Sequence, residues 1–309
     1  MNEPIGQHVV PRCYLQNFSV EKRKDAVFVD VLLNKSKDQK IHRQDIKNIC
    51  KIREFYTFDH LPENEKRWLE KYYSRHIESL YHDIYKTLVD PKAEIISEEL
   101  KMKILAYIIA QELRTPKLGD AITSITTRTI EYAFLANQQL GVERKIYSED
   151  GALLLNLEGK TLGDAIKEDK KSNRQIANAE AVKRLKQIAD LKSSYHIMVT
   201  KYAGKSGLIS SDRPVHTDSS LYSPSCKLTF PIDRNHVVSL YPYDAEIDLD
   251  PLKILRLDYD GQMADMFVLT YNMLQVENAD MFLYGQKDDI TYAYSRYQGL
   301  KEKDKSQKA

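Results

Sequence analysis

Three short strings hold the residues of this chain best suited to chemistry. The first is Gln7-His8-Val9-Val10-Pro11-Arg12-Cys13-Tyr14-Leu15-Gln16-Asn17-Phe18. An imidazole on an extended segment close to a proline, flanked by Gln7 and Arg12, is placed to take a proton from water or a hydroxyl. The second is Gln111 with Arg114, three residues apart on a helix that is otherwise apolar and therefore on one face of it. A guanidinium in apolar surroundings is unfavourable unless paired, so Arg114 needs an anion from the protein or from a ligand. The third, Ser211-Asp212-Arg213-Pro214, is a tight turn after the apolar run GLIS, from which Asp212 can point back toward Arg114. In a catalytic reading His8 and Asp212 handle protons and Arg114 clamps an oxyanion or phosphate, with Gln7, Arg12, Gln111 and Ser211 binding the ligand. A structural Arg114–Asp212 bridge would make the same contact, and sequence does not separate the two.

The elements that must position these residues follow from periodicity. VFVDVLL (27–33) and EFYTF (54–58) read as strands. From Pro62 to Leu88, apolar and aromatic residues recur at three- and four-residue steps, as on one long amphipathic helix that Pro91 stops. Ser97 caps the next helix, whose run KMKILAYIIAQELR is apolar over more than half its circumference and belongs in the core. A helical pattern resumes after Pro116. Asp150-Gly151 between alternating segments marks a hairpin, and a charged helical stretch covers roughly 162–192. YHIMVTKY, GLIS, KLTF, HVVSLYP and KILRLDY then read as strands, DGQMADMFVLTYNMLQ as a helix and MFLYG as a closing strand. Helices first and strands later imply an α+β fold, with an antiparallel helical group followed by a mainly antiparallel sheet packed on it. The expectation is one domain over 1–300. Its parts are 1–60, a helical 61–142, a variable 143–194 and a strand-rich 195–300, followed by a disordered tail at 301–309.

Composition removes several function classes. The 309 residues carry 46 Lys and Arg against 45 Asp and Glu, a net charge of +1 that excludes a histone-like polycation. Cys13, Cys50 and Cys226 form no CxxC pair, which removes zinc-ribbon and thioredoxin-type chemistry and suggests reduced thiols in a cytoplasmic protein. MNEPIGQHVVPR has no signal-peptide layout, and the apolar run Ile104–Ala110 is far short of the roughly 20 residues that cross a bilayer, so no membrane partner is expected. GxGxxG, GxxxxGK[ST] and GxSxG are all missing, and His76 and His82 do not share a helix face. The cofactor is left unknown: there is no nucleotide-binding motif, and a divalent metal is compatible with the chain but supported by no ligand spacing. Tyr284, Tyr292, Tyr294 and Tyr297 with Arg296 have the residue types that stack on bases, although such a series more often covers a core edge.

In these same strings the chain resembles the bacterial family named domain of unknown function 4238. The resemblance is carried by Gln7, His8, Val10, Pro11, Tyr14, Leu15 and Phe18, then by Phe55-Tyr56, Gln111-x-x-Arg114-Thr115-Pro116, Ser211-Asp212-x-Pro214 and Phe230-Pro231. It spans nearly the whole chain apart from 143–195, and the family name implies no activity. The first string also resembles the His-x-x-Pro opening of HNH-type nucleases. The downstream Asn34 and His42 that such a site needs lie on a polar, turn-like run with no Cys or His pair beside them. Two functional expectations follow. One is a hydrolase acting on nucleic-acid phosphodiesters in a defence or toxin setting; the other is a non-enzymatic module binding a small anionic ligand or a protein partner. A purely structural polar network is the third reading.

Overall fold

The computed structural model describes residues 6–34, 39–244 and 249–308, with side chains through Lys303. Contacts divide the chain into two compact units, Met1–Phe55 with Glu70–Thr115 and Lys183–Ala309, and Tyr56–Leu69 with Pro116–Val182. The fold is α+β with mainly antiparallel sheets.

In the larger unit, the run 27–33 forms β3 (Ala26–Leu33), preceded by β1 (Gly6–His8), α1 (Arg12–Leu15) and β2 (Glu21–Arg23) and followed by β4 (Ile41–Asp45) and β5 (Lys51–Arg53). The strand expected at 54–58 lies earlier, at β5. Cys50 and Glu54 adopt left-handed φ values of 53° and 51°, which bracket the strand and turn 54–58 out of it. β4 begins at Ile41 and His42, the end of the polar run 35–42 read as turn-like, because β3 supplies a complete antiparallel partner from Phe28↔Asp45 to Leu32↔Ile41. The 35–38 part of that polar run lies outside the described residues.

The long helix expected from Pro62 is broken. Pro62–Glu65 form a turn, α2 runs Trp68–His76, a 3-10 turn covers Glu78–Leu80 and α3 runs Tyr81–Val89. Both helices keep one apolar face, so the periodicity survives the break that sequence reading passed over. α4 (Glu98–Leu113) starts where expected, Ser97 accepting from the Leu100 amide at 3.2 Å, and Tyr107–Glu112 are buried without interruption. Arg256 caps the far end of α3 by donating to the carbonyls of Leu88, Thr87 and Ala93.

The strands after 195 join two sheets, where one was expected. β8 (His196–Ala203), β10 (His216–Thr217), β11 (Leu228–Pro231), β12 (His236–Tyr241) and β13 (Ile254–Asp260) form the order β10-β11-β12-β8-β13, antiparallel except for β8 with β13. β9 (Ser210–Ser211) and β14 (Phe282–Gly285) instead join β2 and β3, so a strand near the chain end pairs Phe282↔Leu33 through Gly285↔Asp30. Between β13 and β14 lies α8 (Gly261–Asn278), and after β14 comes α9 (Lys287–Lys308). Residues 301–308 of the tail expected to be disordered are thus the last part of α9, and Ala309 lies outside the described residues. The tail's Lys, Glu and Gln are strong helix formers continuing a helix whose first half packs on the core.

The aromatic core explains the tyrosine count. Tyr14 stacks on Phe230 with centroids 4.8 Å apart, and Tyr81 stacks on Tyr107 at 4.5 Å. The Tyr14 hydroxyl donates to the Pro231 carbonyl at 2.6 Å and lies 2.7 Å from Ser210 Oγ, so a fully buried ring still has its polar atom paired.

In the smaller unit α5 (Lys117–Leu140) pairs with α6 (Leu162–Ala179), and β6 (Lys145–Tyr147) with β7 (Leu153–Asn156) makes the expected hairpin. Gly151 sits in its turn at φ 82°, a conformation glycine adopts without strain. Gly119 lets α6 approach closely, since a Cβ there would lie 3.3 Å from the Arg174 Cα. Asn173 seals the seam by donating to Thr126 Oγ1 at 3.0 Å and to Asp169 Oδ2 at 2.9 Å. The charged stretch after α6 continues as α7 (Ala181–Leu191).

Candidate functional site

Strand alternation builds the first part of the site. β1 and β5 pair antiparallel with His8 opposite Lys51 and Gly6 opposite Arg53, so His8, Lys51 and Arg53 share one face of a two-stranded ribbon. Gln7 points the other way, is 1% exposed, and donates to Glu70 Oε2 at 2.8 Å. Arg12 opens α1 just beyond Pro11 and is exposed.

The His8 ring is partly buried, and its Nε2–H donates to the Ile46 carbonyl at 3.3 Å, which leaves the Nδ1 lone pair as the basic atom. Burial lowers its pKa from the ordinary 6.5 to about 4. The Ile46 bond opposes that shift, the charges of Lys51 and Arg12 add to it, and Glu78 opposes it again. The imidazole is therefore neutral at physiological pH, with two cations close enough to act on it. Among the described residues neither Lys51 nor Arg12 has a carboxylate ion-pair partner.

Behind the ribbon, Arg114 stands at the C-terminal cap of α4 and is 2% exposed. Its Nη2 donates to Glu78 Oε1 at 2.7 Å and to the His8 carbonyl at 2.9 Å, and its guanidinium covers the Tyr73 ring at 4.7 Å. The anion at Arg114 is thus Glu78, where sequence reading expected Asp212. Glu78 is on the 3-10 turn between α2 and α3, and that break in the helical pattern is the signal that was missed. Gln111, also buried, donates weakly to the Tyr107 carbonyl at 3.5 Å.

Asp212 has a different office. Its carboxylate accepts from the amides of Asp280 at 3.0 Å and Met281 at 2.9 Å, and its own amide donates to the Phe282 carbonyl at 3.1 Å, which fixes the entry to β14. Arg213 pairs with Asp280 beside it. Ser211 Oγ lies 2.8 Å from Gln275 Oε1 and 2.9 Å from the Arg213 carbonyl, and it accepts from the Arg213 amide at 3.2 Å. The structure therefore brings His8 and Arg114 together, with Gln7 and Arg12 flanking His8 in sequence, and employs Ser211 and Asp212 in shaping the β9–β14 junction. Asn34, weighed as a nuclease asparagine, donates to the carbonyl of Ala279 at 2.8 Å. Among the described residues no group of three or more His, Cys, Asp or Glu is arranged to hold a metal ion.

Burial raises the Asp212 pKa from 3.8 to about 6, against the pull of the Met281 and Asp280 amides and with help from the Asp280 charge. His8 and Asp212 then act oppositely on stability in one pH window. The His8 contribution is complete above pH 6.5 and lost as pH falls through about 4. The Asp212 contribution is complete below pH 3.8 and lost as pH rises through about 6. Acidification from pH 6.5 to 4 should therefore lower Tm more steeply in Asp212→Asn than in the parent, and less steeply in His8→Gln. Three parallel Tm–pH curves would remove this account of both groups.

Residues 6–289 match the model of the family described as protein of unknown function (DUF4238). No curated protein and no solved structure matches the chain. No helix among the described residues is long and apolar enough to cross a membrane.

Proposed function

For a chain that belongs to the DUF4238 family, we propose that the β1–β5 ribbon is a receptor for a small phosphate-bearing anion. The observation that carries this reading is the pair Lys51 and Arg12, two cations without a carboxylate partner among the described residues, both acting on a neutral imidazole. An anion seated between them offsets their charge, supplies the hydrogen-bond acceptors a guanidinium and an ammonium need, and raises the His8 pKa so that binding takes up a proton. Arg114 supports the site from behind by holding the His8 carbonyl. The three free cysteines accord with a reducing cytoplasm.

Calorimetry with pyrophosphate tests the receptor. Lys51→Ala and Arg12→Ala should each weaken binding by about 1–2 kcal/mol, roughly five- to thirtyfold, the scale of one charge-assisted hydrogen bond. Proton uptake should accompany binding near pH 5 and vanish in His8→Gln. Unchanged affinity in the Lys51/Arg12 double variant would end the proposal.

One observation favours hydrolysis as a second reading. The Ile46 carbonyl anchors the His8 Nε2–H, which orients the ring with Nδ1 as a general base toward a water beside the bound phosphodiester. Cleavage of nucleic acid in a bacterial defence or toxin setting would follow from it. The test is incubation with single-stranded RNA and DNA, with and without magnesium: His8→Gln should keep pyrophosphate binding and lose cleavage, and a parent protein that cleaves neither leaves the receptor alone.

A further inference from the structure

α8 and α9 pack against one another and leave between them a cleft of about 390 Å3, lined by Leu269, Met273, Ser295, Arg296, Gly299, Leu300 and Lys303. We propose that this cleft binds a single-chain amphiphile with an anionic head, its chain along the apolar walls and its head at Arg296.

The walls are apolar for a sequence reason. Met266, Leu269 and Met273 follow one another at three- and four-residue steps and so form one stripe of α8, and Met266, 57% exposed, extends that stripe beyond the cleft. Thioether side chains are unbranched and polarizable, and they adapt to the shape of an apolar guest. Leu300 faces the stripe from α9. Gly299 completes the wall without a side chain, and a Cβ built there meets nothing within 4 Å, so the cleft reaches the α9 backbone.

The head follows from the charges. None of the lining residues is acidic, and Arg296 lies four residues before Leu300, which places its guanidinium on the same face of α9 as the apolar wall. Size selects the tail. The volume lies within the range of small-molecule sites. An extended hydrocarbon chain fits both the volume and the stripe.

Calorimetry with decanoate, and with the neutral-headed decyl glucoside, both below their micelle concentrations, tests this. Decanoate should bind and decyl glucoside should bind roughly tenfold more weakly, a charge-assisted contact being the difference. Arg296→Gln should weaken decanoate about fivefold and leave the glucoside unchanged. Gly299→Leu should abolish binding of both while Tm holds or rises, because a leucine in a helix interior is favoured over glycine and the space is open. Equal affinity for the two heads, decanoate binding that survives Gly299→Leu, or no binding of decanoate to the parent would each overturn the proposal. Should Gly299→Leu fail to fold, the head-group selectivity and its loss in Arg296→Gln decide the question alone.

Discussion

Arg114→Ala should destabilise the protein by roughly 3–5 kcal/mol, the scale for removing one partner of a buried ion pair. That variant loses together the ion pair to Glu78, the hydrogen bond to the His8 carbonyl and the contact over the Tyr73 ring. The loss should lie nearer the lower figure, because Glu78 keeps 28% of its side chain in solvent and retains part of its hydration when the guanidinium is gone. Glu78→Gln should be milder, since its amide oxygen still accepts from Arg114. The measurement is denaturant unfolding of both variants beside the parent. A change below about 1 kcal/mol in Arg114→Ala would mean that Glu78 does not hold the guanidinium in solution and that Arg114 awaits an external anion.

The second large effect is expected at Tyr14. Tyr14→Ala removes a fully buried ring that stacks on Phe230 and meets Phe18 edge-on at 5.4 Å, and it should cost about 3–5 kcal/mol. Tyr14→Phe keeps the packing and leaves the Pro231 carbonyl and Ser210 without the hydroxyl, for a loss of about 1–3 kcal/mol. Phe230→Ala should resemble Tyr14→Ala, and the double variant should lose less than the sum because the two rings share one contact. Unfolding midpoints of the four variants check the set. Additive losses would mean that the two rings are not coupled through their stack, and a Tyr14→Phe equal in stability to the parent would mean that the hydroxyl bonds are absent.

These expectations give the strings singled out in the sequence a divided meaning. Tyr14, Phe18, Phe230 and Pro231 are core, and the order in which they recur along the chain reflects one packed region. Ser211 and Asp212 shape a strand junction. Among the candidate site residues, Arg12 is exposed and His8 partly exposed, and Lys51 stands opposite His8 on a strand that periodicity misplaced by three residues. Lys51 was invisible because nothing local marks it. Its significance arises from a register, His8↔Lys51, that depends on two left-handed residues at positions 50 and 54.

What the sequence determined by itself is whatever local chemistry decides. Apolar spacing set the face of α3, Ser97 set the start of α4, Asp150-Gly151 set the hairpin, and the breadth of AYIIAQEL set the most buried helix. It also established that Arg114 must have an anion, since burial of a lone guanidinium is prohibitive wherever the chain folds. The tertiary structure alone decided which anion that is. A salt bridge is specified by approach in space, and Glu78 reaches Arg114 only because the chain breaks from α-helix into a 3-10 turn after His76. The same holds for β14. Its hydrogen bonds are indifferent to sequence distance, so the pairing of Phe282 with Leu33, and with it the role of Asp212 in fixing that strand, is settled by packing of α8 and α9 and by no local pattern.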